Sequence, residues 1–137
     1  MPIYTIPYDT AVGAEIDILV SKPSSTYTAE EVRASGRRLR LLIDTGASKT
    51  AINPKHIADM QLVPSGKRIM RTALAEKEVN LYPVDLSYEV PQPPFLISDL
   101  SIMEFPSSWR DGVLGRDFLD KIILEINSIG KYIKLTI

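Results

Sequence analysis

A chain of 137 residues, 45% of them hydrophobic and none of them cysteine, has apolar material for one core but cannot build a disulfide framework or a Cys/His zinc site. Its 16 basic and 17 acidic side chains leave a net charge of −1, which excludes the strong basic field of a nucleic-acid binder and gives no acidic tail. The opening residues lack a basic region followed by an apolar core, and no apolar run reaches the length of a membrane span; the expected setting is cytoplasmic, with neither membrane nor nucleic acid as partner.

In chain order, Ala14, Ile16, Ile18 and Val20 alternate with Glu15, Asp17 and Leu19, the period-two pattern of a half-buried strand. Residues 21–37 are rich in Ser, Pro, Thr and charge and read as a loop, within which Thr28 and Glu31 have the spacing of a capping box for a short helix over 30–34. Residues 39–43 form a short apolar run ending in Asp44-Thr45-Gly46-Ala47-Ser48. After Ala51-Ile52, Asn53-Pro54 supplies an N-cap and a first-turn proline for a helix near 55–60, and Pro64-Ser65-Gly66 marks a turn.

Tyr82, Val84, Leu86, Tyr88 and Val90 then alternate with Pro83, Asp85, Ser87 and Glu89, a regular strand signal in which Pro83 argues for an edge position. Paired with 69–72, this strand forms a hairpin whose tip lies near 73–78. Pro91, Pro93 and Pro94 interrupt the pattern, 95–103 is extended again, Val113-Leu114-Gly115 precedes a short helix over 116–121, and 132–137 returns to alternation. With no repeat and no low-complexity tract, the class is all-β with one or two short helices.

An acid placed directly after a buried strand is chemically costly and therefore informative. In the turn Asp44-Thr45-Gly46-Ala47-Ser48, glycine permits backbone angles closed to other residues and threonine can anchor the loop through its hydroxyl; a plain Asx-turn ending a strand is the alternative. A second motif follows roughly seventy residues later: Asp111-Gly112-Val113-Leu114-Gly115-Arg116-Asp117-Phe118-Leu119, two apolar residues and a glycine leading into a helix. With Asp44-Thr45-Gly46 and Val113-Leu114-Gly115 in this order, the sequence resembles the retropepsin family, the single-domain aspartic peptidases of retroviruses and their cellular and bacterial relatives, over residues 39–137.

The resemblance implies a retropepsin-like closed, barrel-like domain spanning 1–137, one half of a homodimeric aspartic endopeptidase acting on protein or peptide substrates. Asp44, Thr45 and Gly46 would be catalytic, Asp44 meeting its twin from a second subunit. Ala47 and Ser48 on the loop, with Thr72, Ala73, Leu74, Ala75 and Glu76 on the hairpin as a flap, would bind substrate. No metal and no organic cofactor is implied. A terminal strand with nothing left to cover its edge seeks pairing, so residues 2–8 and 132–137 are expected to interleave between subunits.

Departures from the family pattern are also legible. Many retroviral members carry acids at the positions of Ser48 and Lys49, one of which pairs with the arginine matching Arg116; that ion pair cannot form in the same way here. The hairpin tip 72–78 contains no glycine, whereas retroviral tips are glycine-rich. Ala47 replaces a serine whose hydroxyl stabilises the ionised dyad in pepsin-like relatives, which implies a higher pH optimum. These departures keep open a rival reading as a catalytically inactive dimerisation or peptide-binding module.

A second rival is a single-chain glycosidase using Asp44 with Asp111 or Asp117, which requires those acids to face one cleft. His56 has no partner motif and reads as a surface residue. Ser128-Ile129-Gly130-Lys131 falls in a turn between strands rather than on a helix, Ser65-Gly66-Lys67 lacks the upstream glycine of a phosphate loop, and Arg33, Arg37, Arg38 and Arg40 are diluted by Glu30 and Glu31.

Overall fold

The structure, a computed structural model, describes residues 2–71, 73–106 and 109–137. Among them, strands β1 (Ile3–Pro7), β2 (Glu15–Ser21), β3 (Arg37–Ile43), β4 (Ala51–Ile52), β5 (Gly66–Arg71), β6 (Glu76–Tyr88), β7 (Phe95–Glu104), β8 (Gly112–Leu114), β9 (Ile123–Asn127) and β10 (Tyr132–Thr136) are joined by three short helices, α1 (Ala29–Ser35), α2 (Pro54–Asp59) and α3 (Arg116–Leu119). The larger sheet runs β2-β3-β8-β4-β7-β6-β5, and a further pairing of β2 with β6 closes six of these strands into a barrel, as an all-β retropepsin-like fold requires. The hairpin of β5 and the first half of β6 projects from the closed part.

The barrel is filled by the positions that alternation selects. Ile16, Ile18 and Val20 of β2, Leu39 and Leu41 of β3, and Val84 and Leu86 of β6 are all buried, and Phe118 of α3 closes one end against Phe95 with ring centroids 5.6 Å apart. Each such side chain contributes about 1.5–3 kcal/mol by leaving water. The Thr28–Glu31 box forms in both directions, with Glu31 N–H donating to Thr28 Oγ1 at 3.2 Å and Thr28 N–H to Glu31 Oε1 at 3.1 Å, so the conditional helix of the loop is present as α1. Asn53 caps α2, with Pro54 in its first turn.

Strand β6 departs from the sequence expectation in two ways. It is interior, not an edge: Pro83 pairs with Ser101 of β7 on one side, while on the other β6 pairs with β5 up to Leu81 and with β2 from Asp85. The proline occupies the changeover between two partners. Asp85, on the polar side of the alternation, is nevertheless buried, covered from outside the barrel by segments whose Ser24 and Asp99 N–H groups donate to it, each at 3.0 Å, the second beside a register shift at which β7 carries one residue more than β6.

The chain termini pair with each other within the single chain described. Strand β10 is the middle strand of a three-stranded antiparallel sheet β1-β10-β9 within one chain, with Ile3 opposite Thr136 and Pro7 opposite Tyr132. The residues expected to interleave with a second subunit pair with each other in this one chain. The turn between β9 and β10 makes this possible: Asn127 Oδ1 accepts the Gly130 N–H at 2.7 Å and Lys131 adopts a positive φ of 62°, a tight reversal that returns β10 alongside β9. Ile6, Ile133 and Leu135 then bury on the core face. The free edges of this sheet belong to β1 and β9.

Candidate active site

Asp44 leaves the end of β3 where three short strands cross. β8 lies between β3 and β4, parallel to the first (Ile43 opposite Leu114) and antiparallel to the second (Ala51 opposite Val113). The Asp44 N–H donates to Leu114 O at 3.1 Å, and the turn closes through Ala47 N–H to Asp44 O at 3.2 Å. The Asp44 carboxylate is half-buried and accepts the Gly46 N–H on Oδ1 at 2.9 Å. Gly46 does not have a left-handed φ, and a Cβ there would stand 3.2 Å from that same oxygen, a tight contact that the carboxylate would have to yield to. Thr45 is exposed, and its hydroxyl has no partner among the described residues.

Behind the loop lies a buried polar network. Thr50, with no exposed surface, donates from Oγ1 to Asp117 Oδ1 at 2.8 Å and accepts the Gly115 N–H at 3.1 Å, while its own N–H donates to the Asp117 carboxylate at 3.0 Å. Asp117 also accepts the Phe118 N–H at 2.9 Å, and Arg116 N–H reaches Ala47 O at 2.8 Å, so α3 is fastened to the far side of the loop. The crossing is tight enough to demand two glycines: a Cβ on Gly115 would fall 2.5 Å from the Lys49 carbonyl carbon, and one on Gly112, whose φ is +154°, 2.2 Å from Ala51 O.

Asp111 enters the same crossing from outside. Its Oδ2 accepts the Arg40 N–H at 3.0 Å and its Oδ1 lies 2.8 Å from His56 Nε2. Partial burial alone would raise the Asp111 carboxyl; the Arg40 N–H together with the hydrogen bond and charge of His56 outweighs it and holds the group below its ordinary value. His56 is therefore not the partnerless surface residue expected from sequence. The carboxylates of Asp111 and Asp117 are thus occupied around and behind the loop and neither lines the cleft, which removes the geometry a glycosidase pair with Asp44 needs.

In front of the loop is a cleft of about 600 Å³, whose walls are residues 46–49 of the loop, 68–71 of β5, and 103–106 at the end of β7. It takes in Gly46, Ala47 and Ser48 of the expected site. The hairpin residues fall elsewhere: Ala73, Leu74 and Ala75 lie at the exposed tip, Glu76 opens β6 and pairs with Arg71 at 3.1 Å, and Thr72 lies outside the described residues. Sequence reading missed Arg68, Met70 and Glu104. Glu104 accepts the Tyr82 hydroxyl at 2.9 Å; burial pushes the Tyr82 phenol up, and the neighbouring Glu104 adds to that rise against a lowering hydrogen bond from Asn80. Among the described residues no group of His, Cys, Asp and Glu could hold a metal ion, and no helix is long and apolar enough to cross a membrane.

Residues 30–121, from α1 through the Asp44 loop to the end of α3, match the model of the family described as "gag-polyprotein putative aspartyl protease". The chain belongs to this family. No curated protein matches it. Among solved structures, a retropepsin-like aspartic protease from Rickettsia conorii shares the fold with a TM-score of 0.66 over 98% of this chain and 89% of that one, at 15% sequence identity.

Within this aspartyl-protease family fold the chain anchors its loop without an ion pair of Arg116 among the described residues. Arg116 is exposed, and Ser48 and Lys49 offer it no acid. The link between loop and helix passes instead through Asp117 and Thr50. The signal for it was present in the sequence as an acid in the first turn after Val113-Leu114-Gly115, but Asp117 invites reading as a second catalytic acid until its partners are seen.

Proposed function

We propose that the protein is an aspartic endopeptidase whose dyad is formed by Asp44 of two copies of the chain. The observation that carries this reading is the position of Asp44: a half-buried carboxylate held by the Gly46 N–H at the mouth of a strand crossing, beside a cleft, with the neighbouring acids Asp111 and Asp117 engaged elsewhere. Hydrolysis of a peptide bond needs a base to activate water and an acid to protonate the scissile carbonyl or leaving nitrogen. Two carboxylates a few ångströms apart do both, because mutual repulsion keeps one protonated. The exposed Thr45 is available to hydrogen-bond across the two-fold axis, and the free edge of β5 along the cleft offers main-chain groups to an extended substrate, as in strand addition.

Family membership supports a protease-type fold, and the likeness to the Rickettsia conorii structure supports the same architecture. With β1 and β10 paired inside one chain, the two-fold contact would use surfaces other than interleaved termini. Cleavage of a fluorogenic peptide should vanish in Asp44→Asn while the melting temperature is retained, and specific activity should fall on dilution as the dimer dissociates in sedimentation. Unchanged turnover in Asp44→Asn, or full specific activity from a monomer, would overturn the reading. The glycine-free tip of residues 72–78 favours the second reading, a peptide-binding module without turnover. That reading predicts saturable binding of a pepstatin-like peptide with no cleavage by the wild-type protein.

A further inference from the structure

The charged residues of the cleft do not balance. Four line it: Lys49, Arg68, Arg71 and Glu104. Arg71 is neutralised by Glu76 on the neighbouring strand, while Glu104 accepts the neutral Tyr82 hydroxyl and keeps its negative charge. Lys49 Nζ donates only to a neutral group, the carbonyl oxygen of Ser101, at 3.3 Å, and Arg68 has no ion pair among the described residues. Arg68 stands opposite Val79 in the β5–β6 ladder, and since Val79 is buried, Arg68 and Met70 share the inward face of the hairpin. Two cations without an ion pair among the described residues, one on the loop and one on the hairpin, therefore line the same cleft against the single carboxylate of Glu104, in a chain whose overall charge is −1.

We propose that Arg68 and Lys49 make this cleft selective for peptides that present an aspartate or glutamate side chain to it, a specificity that rests on the peptidase or peptide-binding reading of the same site. An extended peptide turns alternate side chains to one face, so one acidic residue next to the Asp44 loop meets both cations. The guanidinium offers a planar fork that fits a carboxylate on two atoms, and the ammonium adds a point charge. Both cations lie near solvent, so the preference is moderate and screened by salt.

Three non-cleavable statine peptides that differ at one flanking position, carrying Glu, Gln or Lys, test the proposal by fluorescence polarisation with the full chain. The Glu peptide should bind about tenfold tighter than the Gln peptide at low ionic strength, with the Lys peptide weakest and the differences shrinking in 1 M salt. Arg68→Glu should reverse the order of the Glu and Lys peptides, and Lys49→Gln should narrow it. Equal binding of all three, no binding of any, or an order unchanged in Arg68→Glu would overturn the selectivity. Cleavage by the wild-type protein is scored separately on Gln and Glu substrates, so loss of turnover with the binding order intact sinks only the peptidase reading.

Discussion

The loop wall and the hairpin wall of the cleft are held by different kinds of interaction. On the loop side the chain passes through buried backbone contacts that leave no room for a methyl group, and the polar atoms of buried Thr50 and Gly115 and partly buried Asp117 satisfy one another. On the hairpin side β5 is an edge strand joined to β6 by ladder bonds and by the exposed ion pairs Lys67–Glu78 at 3.8 Å and Arg71–Glu76 at 3.1 Å, and Leu74 at the tip is 97% exposed. Buried polar networks resist deformation because each broken bond leaves an unsolvated group, whereas exposed pairs exchange readily with water. The Asp44 carboxylate thus rests on the stiff wall, and the hairpin wall is the soft one.

The sharpest way to break this contrast is Gly115→Ala. The added Cβ would meet only backbone atoms of Lys49 and Thr50, with no flexible side chain to yield, so a loss of more than about 3 kcal/mol is expected. Thermal denaturation should show a drop of roughly 10 °C or more; a drop of a degree or two would mean the crossing is looser than described. Thr50→Val is nearly isosteric but strips the hydroxyl from between Gly115 N–H and Asp117, and should cost about 1–3 kcal/mol in urea denaturation.

Asp111→Asn tests the rim of the stiff wall through pH. Because the folded carboxyl is held below its ordinary value of 3.8, its contribution is fully present above that pH and is lost as pH falls through the folded value. The variant should be less stable than the wild type by at most about 1 kcal/mol at neutral pH, given that the side chain is partly exposed and screened. The two proteins should draw together as pH falls from 3.8 through the lowered folded value and converge below it, and a gap that persists into stronger acid would assign the effect to packing. The smallest effect is expected on the soft wall: Glu76→Ala should change stability by less than about 0.5 kcal/mol. Hydrogen exchange should find the amides of 73–75 far less protected than those of β3; equal protection would erase the distinction between the walls.

Much of the barrel could be read from alternation alone, since the inward positions of β2, β3 and β6 are apolar and the helix caps are local signals. Asp85 shows where that reading stops: its burial depends on two distant segments, with the Ser24 and Asp99 N–H groups, that cover the outer face of β6 and leave no periodic trace. The same holds at the site. Asp44-Thr45-Gly46 announces itself as a motif, but the roles of Thr50, His56, Asp111 and Arg68 arise from pairings between residues far apart in sequence, which no window along the chain contains. The pairing of β1 with β10 within the chain was hidden for a similar reason, because period-two alternation marks a strand without naming its neighbour.

The pairing of β1 with β10 also draws the two ends of the described chain together, with Ile137 N–H donating to Pro2 O at 3.2 Å. In connectivity the fold is close to a ring. A short peptide bridge between these ends, with the backbone reopened at the hairpin tip, would leave every strand pairing of the barrel in place. It would also turn the two sides of the reopened hairpin into free arms, able to reach over the cleft independently of each other.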